Sequence, residues 1–300
     1  MSRVIAVCNQ KGGVGKTTTA VNLSTALALG GQRILLVDLD PQANATGGLG
    51  IDKRSLKRSI YQALLETEPI ESAILPTQIQ NLSVVPSQPA LSGAEVELIE
   101  LPNRETRLRH LLQSVVGTYD QILIDCPPSL GLLTVNALTA AESVLIPLQC
   151  EYYALEGLTQ LLETIQLVQG SLNPRLEVEG VLLTMADFRT KLTTDVIQEV
   201  RRSFGQKVYD VVIPRSIRLS EAPSHGLPIA LYDPTSSGAK AYQSLAQVIK
   251  KEKRDAGNAW VGQRDPGADP GGKPGVTEGG DAGSVGVHPA EPIPAPEESR

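Results

Sequence analysis

Aromatic residues are scarce in this chain. Phe, Trp and Tyr make up 3% of 300 residues, so Leu, Ile, Val and Ala must build the core. An aromatic surface for stacking the bases of single-stranded nucleic acid is excluded by the same shortage. Cysteine is almost as rare: Cys8, Cys126 and Cys150 are odd in number, widely spaced and set in or beside apolar runs. That usage fits reduced, buried thiols rather than a disulfide framework. There is no Cys-x-x-Cys pair, which argues against a subunit-bridging iron–sulfur cluster, and Cys126 is expected to be the only thiol near the site described next. No run of about 18 apolar residues and no charged-then-apolar leader occurs, so the expectation is a soluble, cytoplasmic protein.

What is present is concentrated at the start. Residues 11–18 read Lys-Gly-Gly-Val-Gly-Lys-Thr-Thr, after the apolar run Val4-Ile-Ala-Val7 and before a helical pattern from about Thr17. Strand, glycine loop and helix in that order are the setting of a Walker A motif. Gly12, Gly13 and Gly15 let backbone N–H groups face phosphate oxygens at a helix N-terminus, with Val14 between them. Lys16 then reaches the β- and γ-phosphates, and Thr17, followed by Thr18, offers a hydroxyl to Mg²⁺. Lys11 is one lysine more than phosphate binding uses. At the base of the loop it cannot easily curl onto its own nucleotide, which makes a facing subunit its natural target.

Two further runs complete such a site. Arg33-Ile-Leu-Leu-Val-Asp38 is of buried-strand type and leads into Asp38-Leu-Asp40-Pro41-Gln42, while Gln121-Ile-Leu-Ile-Asp125 has the Walker B form. Their carboxylates fall at the carboxyl ends of strands, where open α/β sheets place ligands, and Asp125 is placed to hold Mg²⁺ through water. Alternating strand and helix patterns predict one α/β unit over residues 1–254, a mostly parallel twisted sheet with helices on both faces. Helices are expected at 55–66, at 95–116 with a break at Pro102, and at 155–168, 193–204 and 237–253. Strands are expected at 82–85, 143–147 and 179–184.

The net charge of −6 is unevenly spread. Residues 255–300 carry eight acidic and three basic side chains, so most of the excess lies there and the rest is near −1. This Gly/Pro-rich stretch has almost no large apolar residues and is expected to be a disordered tail. Arg215 and Arg218, three apart in what reads as a loop after a strand, and Arg189 in another loop, suit either phosphate contact or plain surface charge. Lys191, Lys207, Arg201 and Arg202 are weaker candidates. The cluster Lys250-Lys-Glu-Lys-Arg254 at a helix end suits the macrodipole. It also suits a basic membrane-targeting helix, although Leu245, Val248 and Ile249 make only a narrow apolar stripe.

The loop at 11–18, Leu36-Val-Asp-Leu-Asp-Pro-Gln-Ala-Asn-Ala-Thr46, Asp125-Cys-Pro-Pro-Ser129, Glu151-Tyr-Tyr-Ala-Leu-Glu-Gly157 and Val212-Ile-Pro-Arg-Ser-Ile-Arg-Leu-Ser-Glu-Ala-Pro223 together resemble the ParA/Soj chromosome- or plasmid-partitioning ATPases. The resemblance covers about residues 1–252 and is to the short form without an N-terminal helix-turn-helix. It implies a P-loop NTPase fold of the deviant Walker A class, with ATP and Mg²⁺ as cofactors. It implies further an ATP-sandwich homodimer in which Lys11 reaches the partner's ATP and Asp40 positions the attacking water. Pro214 and Ser216 match the part of that fold lining the adenine pocket, where Met185 adds an apolar wall or simply packs the core. Arg189 and Arg218 sit where the family binds double-stranded DNA without sequence preference on the nucleoid. A ParB-like centromere-binding partner would stimulate hydrolysis. The alternative within the class is a MinD-like ATPase positioned on a membrane surface.

Overall fold

Three short apolar runs set the centre of the molecule. Strands β1 (Arg3–Val7), β2 (Ile34–Asp38) and β5 (Gln121–Asp125) are buried along nearly their whole length, which an alternating strand with one wet face could not be. Successive residues serve opposite faces of the sheet. Val4, Ala6, Leu35, Val37, Ile122 and Ile124 pack into one core, and Ile5, Val7, Ile34, Leu36 and Leu123 into the other. Each fully buried Leu or Ile contributes about 1.5–3 kcal/mol, so the two layers supply the stability that aromatic residues do not.

The computed structural model describes residues 2–66, 68–151 and 156–261. Its sheet also contains β3 (Leu75–Pro76), β4 (Leu82–Val85), β6 (Ser143–Gln149) and β7 (Glu177–Thr184), in the order β3-β4-β2-β5-β1-β6-β7. Only the β3–β4 pairing is antiparallel. One face is covered by helices including α1 (Lys16–Leu29) and α11 (Ser237–Val261), whose Leu23, Leu27, Leu245 and Ile249 are fully buried together. The other face holds α4 (Leu91–Glu97), α5 (Arg107–Gln113), α6 (Leu132–Ala140) and α7 (Glu156–Ser171). Between these lie the short α2 (Asn44–Gly48) and α3 (Ile60–Leu65), and after β7 come α8 (Lys191–Phe204), α9 (Ile217–Glu221) and α10 (Ile229–Tyr232). The register places Asp38 beside Asp125, and Asp125 beside Val7, so the strand ends carrying the motifs meet.

Several expected elements change length. The helix expected at 55–66 begins only at Ile60, because Ser59 and Gln62 form a capping box there and the charged residues before it offer too little apolar surface to hold a helix. The break at Pro102 is present, with a short 3₁₀ turn, Leu98–Glu100, before it. α11 runs to Val261, past the end expected near Lys253. Arg218 lies on a helix, α9, and not in a loop, because Leu219 and Ala222 turn inward to the core. The segment before it is held by isolated bridges, Val208 to Val181 and Pro214 to Ala186, instead of a strand. Residues 262–300, most of the expected tail, lie outside the described residues.

The turn at Gly50 touches the turn at Gly226. Both residues have positive φ, and a Cβ at Gly226 would lie 2.7 Å from the Gly50 Cα. Gly226→Ala is expected to lower unfolding stability by about 1–3 kcal/mol or more, strain and clash combined. Gly31→Ala, also at positive φ but with open space around it, should lose only about 1–2 kcal/mol. Urea titration of both variants checks the difference, and equal losses would remove the close approach as its cause.

Candidate nucleotide and metal site

The loop between β1 and α1 is braced from both sides. Asn9 accepts from the Lys11 backbone N–H at 3.0 Å and donates to the Pro147 carbonyl at 2.7 Å. The Thr184 hydroxyl, at the end of β7, donates to the Val14 carbonyl at 2.8 Å. Gly13 and Gly15 adopt φ of 75° and 90°, which ordinary side chains rarely tolerate, and a Cβ at Gly12 or Gly13 would meet nothing within 4 Å. The loop is thus an open backbone cradle at the N-terminus of α1, suited to an anion. Lys16 is buried in it, with Nζ donating to the Lys11 carbonyl at 3.0 Å. Burial lowers its pKa, opposed chiefly by the nearby Asp125 carboxylate.

The three carboxylates do different things. Asp38 is saturated: it accepts from the Thr46 N–H and hydroxyl, each at 2.7 Å, and from the Asp40 N–H at 3.2 Å. Burial still pushes its pKa up to about 6. Its role is therefore to pin the turn that follows β2, with Thr46 in turn accepting from the Ser87 N–H. Asp40 is nearly buried and accepts from the Gln42 N–H at 2.9 Å. Asp125 is fully buried and neither of its oxygens has a hydrogen-bond partner. Burial, then the charge of Asp38, raises its pKa well above the carboxylate range. The Thr17 hydroxyl lies close enough to ease that charge without meeting hydrogen-bond geometry. A buried orphan carboxylate beside a threonine hydroxyl is a hard-oxygen donor set that fits a hydrated Mg²⁺.

Lys11 stands on the rim. Its Nζ is 3.5 Å from Glu151, whose other carboxylate oxygen is 3.7 Å from Arg215. Glu151 thus ties the loop to the Pro214 segment, a link the sequence motif contained but gave no means of assigning. Residues 152–155 of the same motif lie outside the described residues. Cys8 is a correction: its thiol contacts Cys126 and both lie within electrostatic reach of Lys16, because β1 and β5 are neighbours, so Cys126 is not the only thiol at the site.

A cavity of about 300 Å³ opens beside the loop, lined by Gly15 and Thr18 together with Met185, Pro214, Ser216 and Leu219. Met185 lines that cavity and holds φ of 52°, a strained position for its side chain. Reciprocal backbone bonds, Ala186 to Ile213 and Arg215 to Ala186, keep the two walls in register. A larger cavity of about 400 Å³ between α1 and α11 contains none of the loop glycines or carboxylates.

Most of the basic candidates already have a partner. Arg189 forks onto Asp187 at 2.8 and 2.7 Å, and Arg218 pairs with Glu221 at 3.1 Å and lies 3.7 Å from Asp233. Arg202 pairs with Glu199 and Arg201 with Asp210, while Lys207 donates to the Val178 carbonyl and Lys191 opens α8.

Sheet order, phosphate cradle and strand-end aspartates define a P-loop NTPase with a second lysine in its signature loop. A family model described as an AAA domain matches residues 2–178. The sporulation initiation inhibitor protein Soj of Bacillus subtilis is 57% identical over 83% of this chain and 98% of its own length. The chain belongs to the ParA/Soj family of chromosome-partitioning proteins. Among solved structures it is similar to a cobyrinic acid a,c-diamide synthase from Mycobacterium smegmatis with bound ADP and magnesium. That likeness has a TM-score of 0.76 and 39% identity, covering 85% of this chain and 97% of that one. It also resembles the septum site-determining protein MinD with Mg-ADP from Pyrococcus horikoshii, at a TM-score of 0.67 and 28% identity over 84% and 98% of the two chains. Among the described residues no helix is long and apolar enough to cross a membrane.

The orphan carboxylate generates a prediction. A carboxyl whose pKa is raised on folding binds more protons in the folded state, so its contribution to stability falls as pH rises from the unfolded value through the folded one. Asp125→Asn should therefore remove the loss of stability that this carboxyl imposes as pH rises above the ordinary carboxylate range, and abolish stabilisation by added Mg²⁺ and ATP. Urea titrations at two pH values test it. A variant no more stable than wild type would mean that Asp125 is compensated.

Proposed function

We propose that this protein is an ATP-driven DNA-partitioning switch. It is an ATPase, with ATP as substrate and Mg²⁺ as cofactor. Lys11, held at the rim by Glu151 and not folded onto its own loop, is the observation that carries the reading. When a second copy faces the site, Lys11 exchanges Glu151 for the phosphates of the partner's ATP, and nucleotide becomes the glue of a sandwich dimer. Lys16 and the N–H groups of residues 12–18 hold the β- and γ-phosphates. Thr17 and, through water, Asp125 would hold Mg²⁺, which when bound would supply charge neutralisation to the transferring phosphoryl group. Asp40 orients the attacking water. Met185, Pro214 and Ser216 receive the adenine.

The dimer holds double-stranded DNA by phosphate contacts from Arg189, Arg215 and Arg218 and so rides the nucleoid. Exposed ion pairs such as Arg189 with Asp187 are worth about 0–1 kcal/mol, so phosphates can displace the carboxylates cheaply. Hydrolysis, stimulated by a ParB-like partner bound to centromere-like DNA, separates the subunits and releases the DNA. Membrane-surface positioning in the manner of MinD fits less well. Leu245 and Ile249 are spent on the core, and Lys250 donates to the Gly30 carbonyl at the end of α1, capping that helix.

Co-sedimentation separates the two readings: DNA should be retained only with a non-hydrolysable ATP analogue, and anionic vesicles not at all. Retention by vesicles and not by DNA would reverse the assignment. Asp40→Ala should bind ATP and accumulate as a dimer while turnover falls by roughly 10²–10⁴-fold. Undiminished hydrolysis by this variant would move the water-positioning role elsewhere.

A further inference from the structure

A basic stretch between α2 and α3 is one the partitioning motifs do not include. Lys53-Arg54-Ser-Leu-Lys57-Arg58 places four cations in six residues of an acidic protein. These residues form the exposed connection between α2 and α3, since the capping box at Ser59 keeps them out of the helix. Two of the four are committed: Lys53 donates to the Gln42 carbonyl at 2.8 Å, and Arg58 pairs with Glu68 at 2.7 Å. Arg54 and Lys57 have no side-chain hydrogen bond or ion pair among the described residues. The nearest acid in the loop, Asp52, accepts from the Arg54 backbone N–H at 3.0 Å instead of pairing with a side chain.

The loop's position gives this charge a direction. Gly50, at its start, lies against Gly226, and Gln78 donates to the Gly226 carbonyl at 3.2 Å. Lys53 shares a cleft of about 340 Å³ with Ala222 and Pro223, the residues that directly follow the helix carrying Arg218. The exposed His225 stands on the same turn. The loop that carries Arg54 and Lys57 therefore adjoins, through the Gly50–Gly226 contact and the cleft at Lys53, the turn that follows α9 and its Arg218.

We infer that Arg54 and Lys57 form a second contact strip for the phosphate backbone of double-stranded DNA, extending the face that bears Arg218. The inference rests on the partitioning reading above. Physically these two cations are better placed to begin the contact than the arginines of the family motif, because each of those must first leave a carboxylate. A charge with no intramolecular partner contributes its full counterion release, and the strip reads no sequence, since it addresses phosphates alone.

The experiment uses the full chain with a non-hydrolysable ATP analogue, three unrelated duplexes and a series of salt concentrations. Each lost phosphate contact removes about 0.9 from the slope of log affinity against log salt. Arg54→Ala/Lys57→Ala should therefore lower the slope magnitude by about 3.6 in a symmetric dimer, equally on all three duplexes. Arg54→Lys/Lys57→Arg should keep the wild-type slope, and both variants should dimerise with ATP as wild type does. Wild-type slope in the double alanine variant, with ATP-dependent DNA binding intact, overturns the strip and leaves the partitioning reading standing. If the wild type were retained on anionic vesicles added in a parallel arm and the double alanine variant were not, with equal DNA slopes, the strip would be overturned too and the loop assigned to lipid headgroups. A wild type that binds no DNA overturns both readings.

Discussion

Beneath the phosphate loop two buried carboxylates stand side by side at the ends of β2 and β5, and they are not equivalent. Asp38 is satisfied by three donors from the turn it organises, whereas Asp125 has none. A buried, unpaired charge is among the costliest things a fold can hold. The parallel sheet imposes it, because register puts residue 38 against residue 125 and both against the end of β1. A divalent cation and a triphosphate bring together the charges this arrangement lacks and those its lysines need. Binding those groups therefore relieves the cost of the buried carboxylate, which suits the proposed nucleotide-driven association.

Glu151 does the complementary work on the rim. By holding Lys11 and Arg215 at once, it ties the reach of the signature lysine to the segment that runs on through α9 to Arg218. Exposed pairs of this length are individually weak. That weakness suits the proposed switch, in which a partner's phosphates and a DNA backbone would each displace the carboxylate without unfolding anything. One side chain thus links the signature lysine to the segment that leads to Arg218, a contiguous contact through which the proposed nucleotide and DNA contacts could be coupled.

Much of this was legible from residues alone. Continuous apolar runs ending in aspartate announced the central strands, and the loop at 11–18 announced its own geometry, because glycine spacing and a following helix leave few alternatives. The helix at 55–66 was overread: side-chain capping at Ser59 competes with residue periodicity and wins. Arg218 was read as a loop residue because its short helix gains its stability from burying Leu219 and Ala222, which no local pattern announces. Glu151 and the Cys8–Cys126 contact were invisible for another reason. They depend on which strands are neighbours, and sheet order is a property of the whole chain. The same holds for the pairing of the arginines, where a basic residue in the sequence says nothing of the carboxylate waiting beside it.

The central claim is that Lys11 acts on the nucleotide of a second subunit. Light scattering of Lys11→Ala at saturating ATP tests it most directly, with nucleotide affinity measured by calorimetry on the same sample. The account predicts near-wild-type ATP binding, because Lys16 and the glycine N–H groups remain, together with a particle that stays monomeric where wild type dimerises. An ATP-dependent dimer of this variant would contradict it.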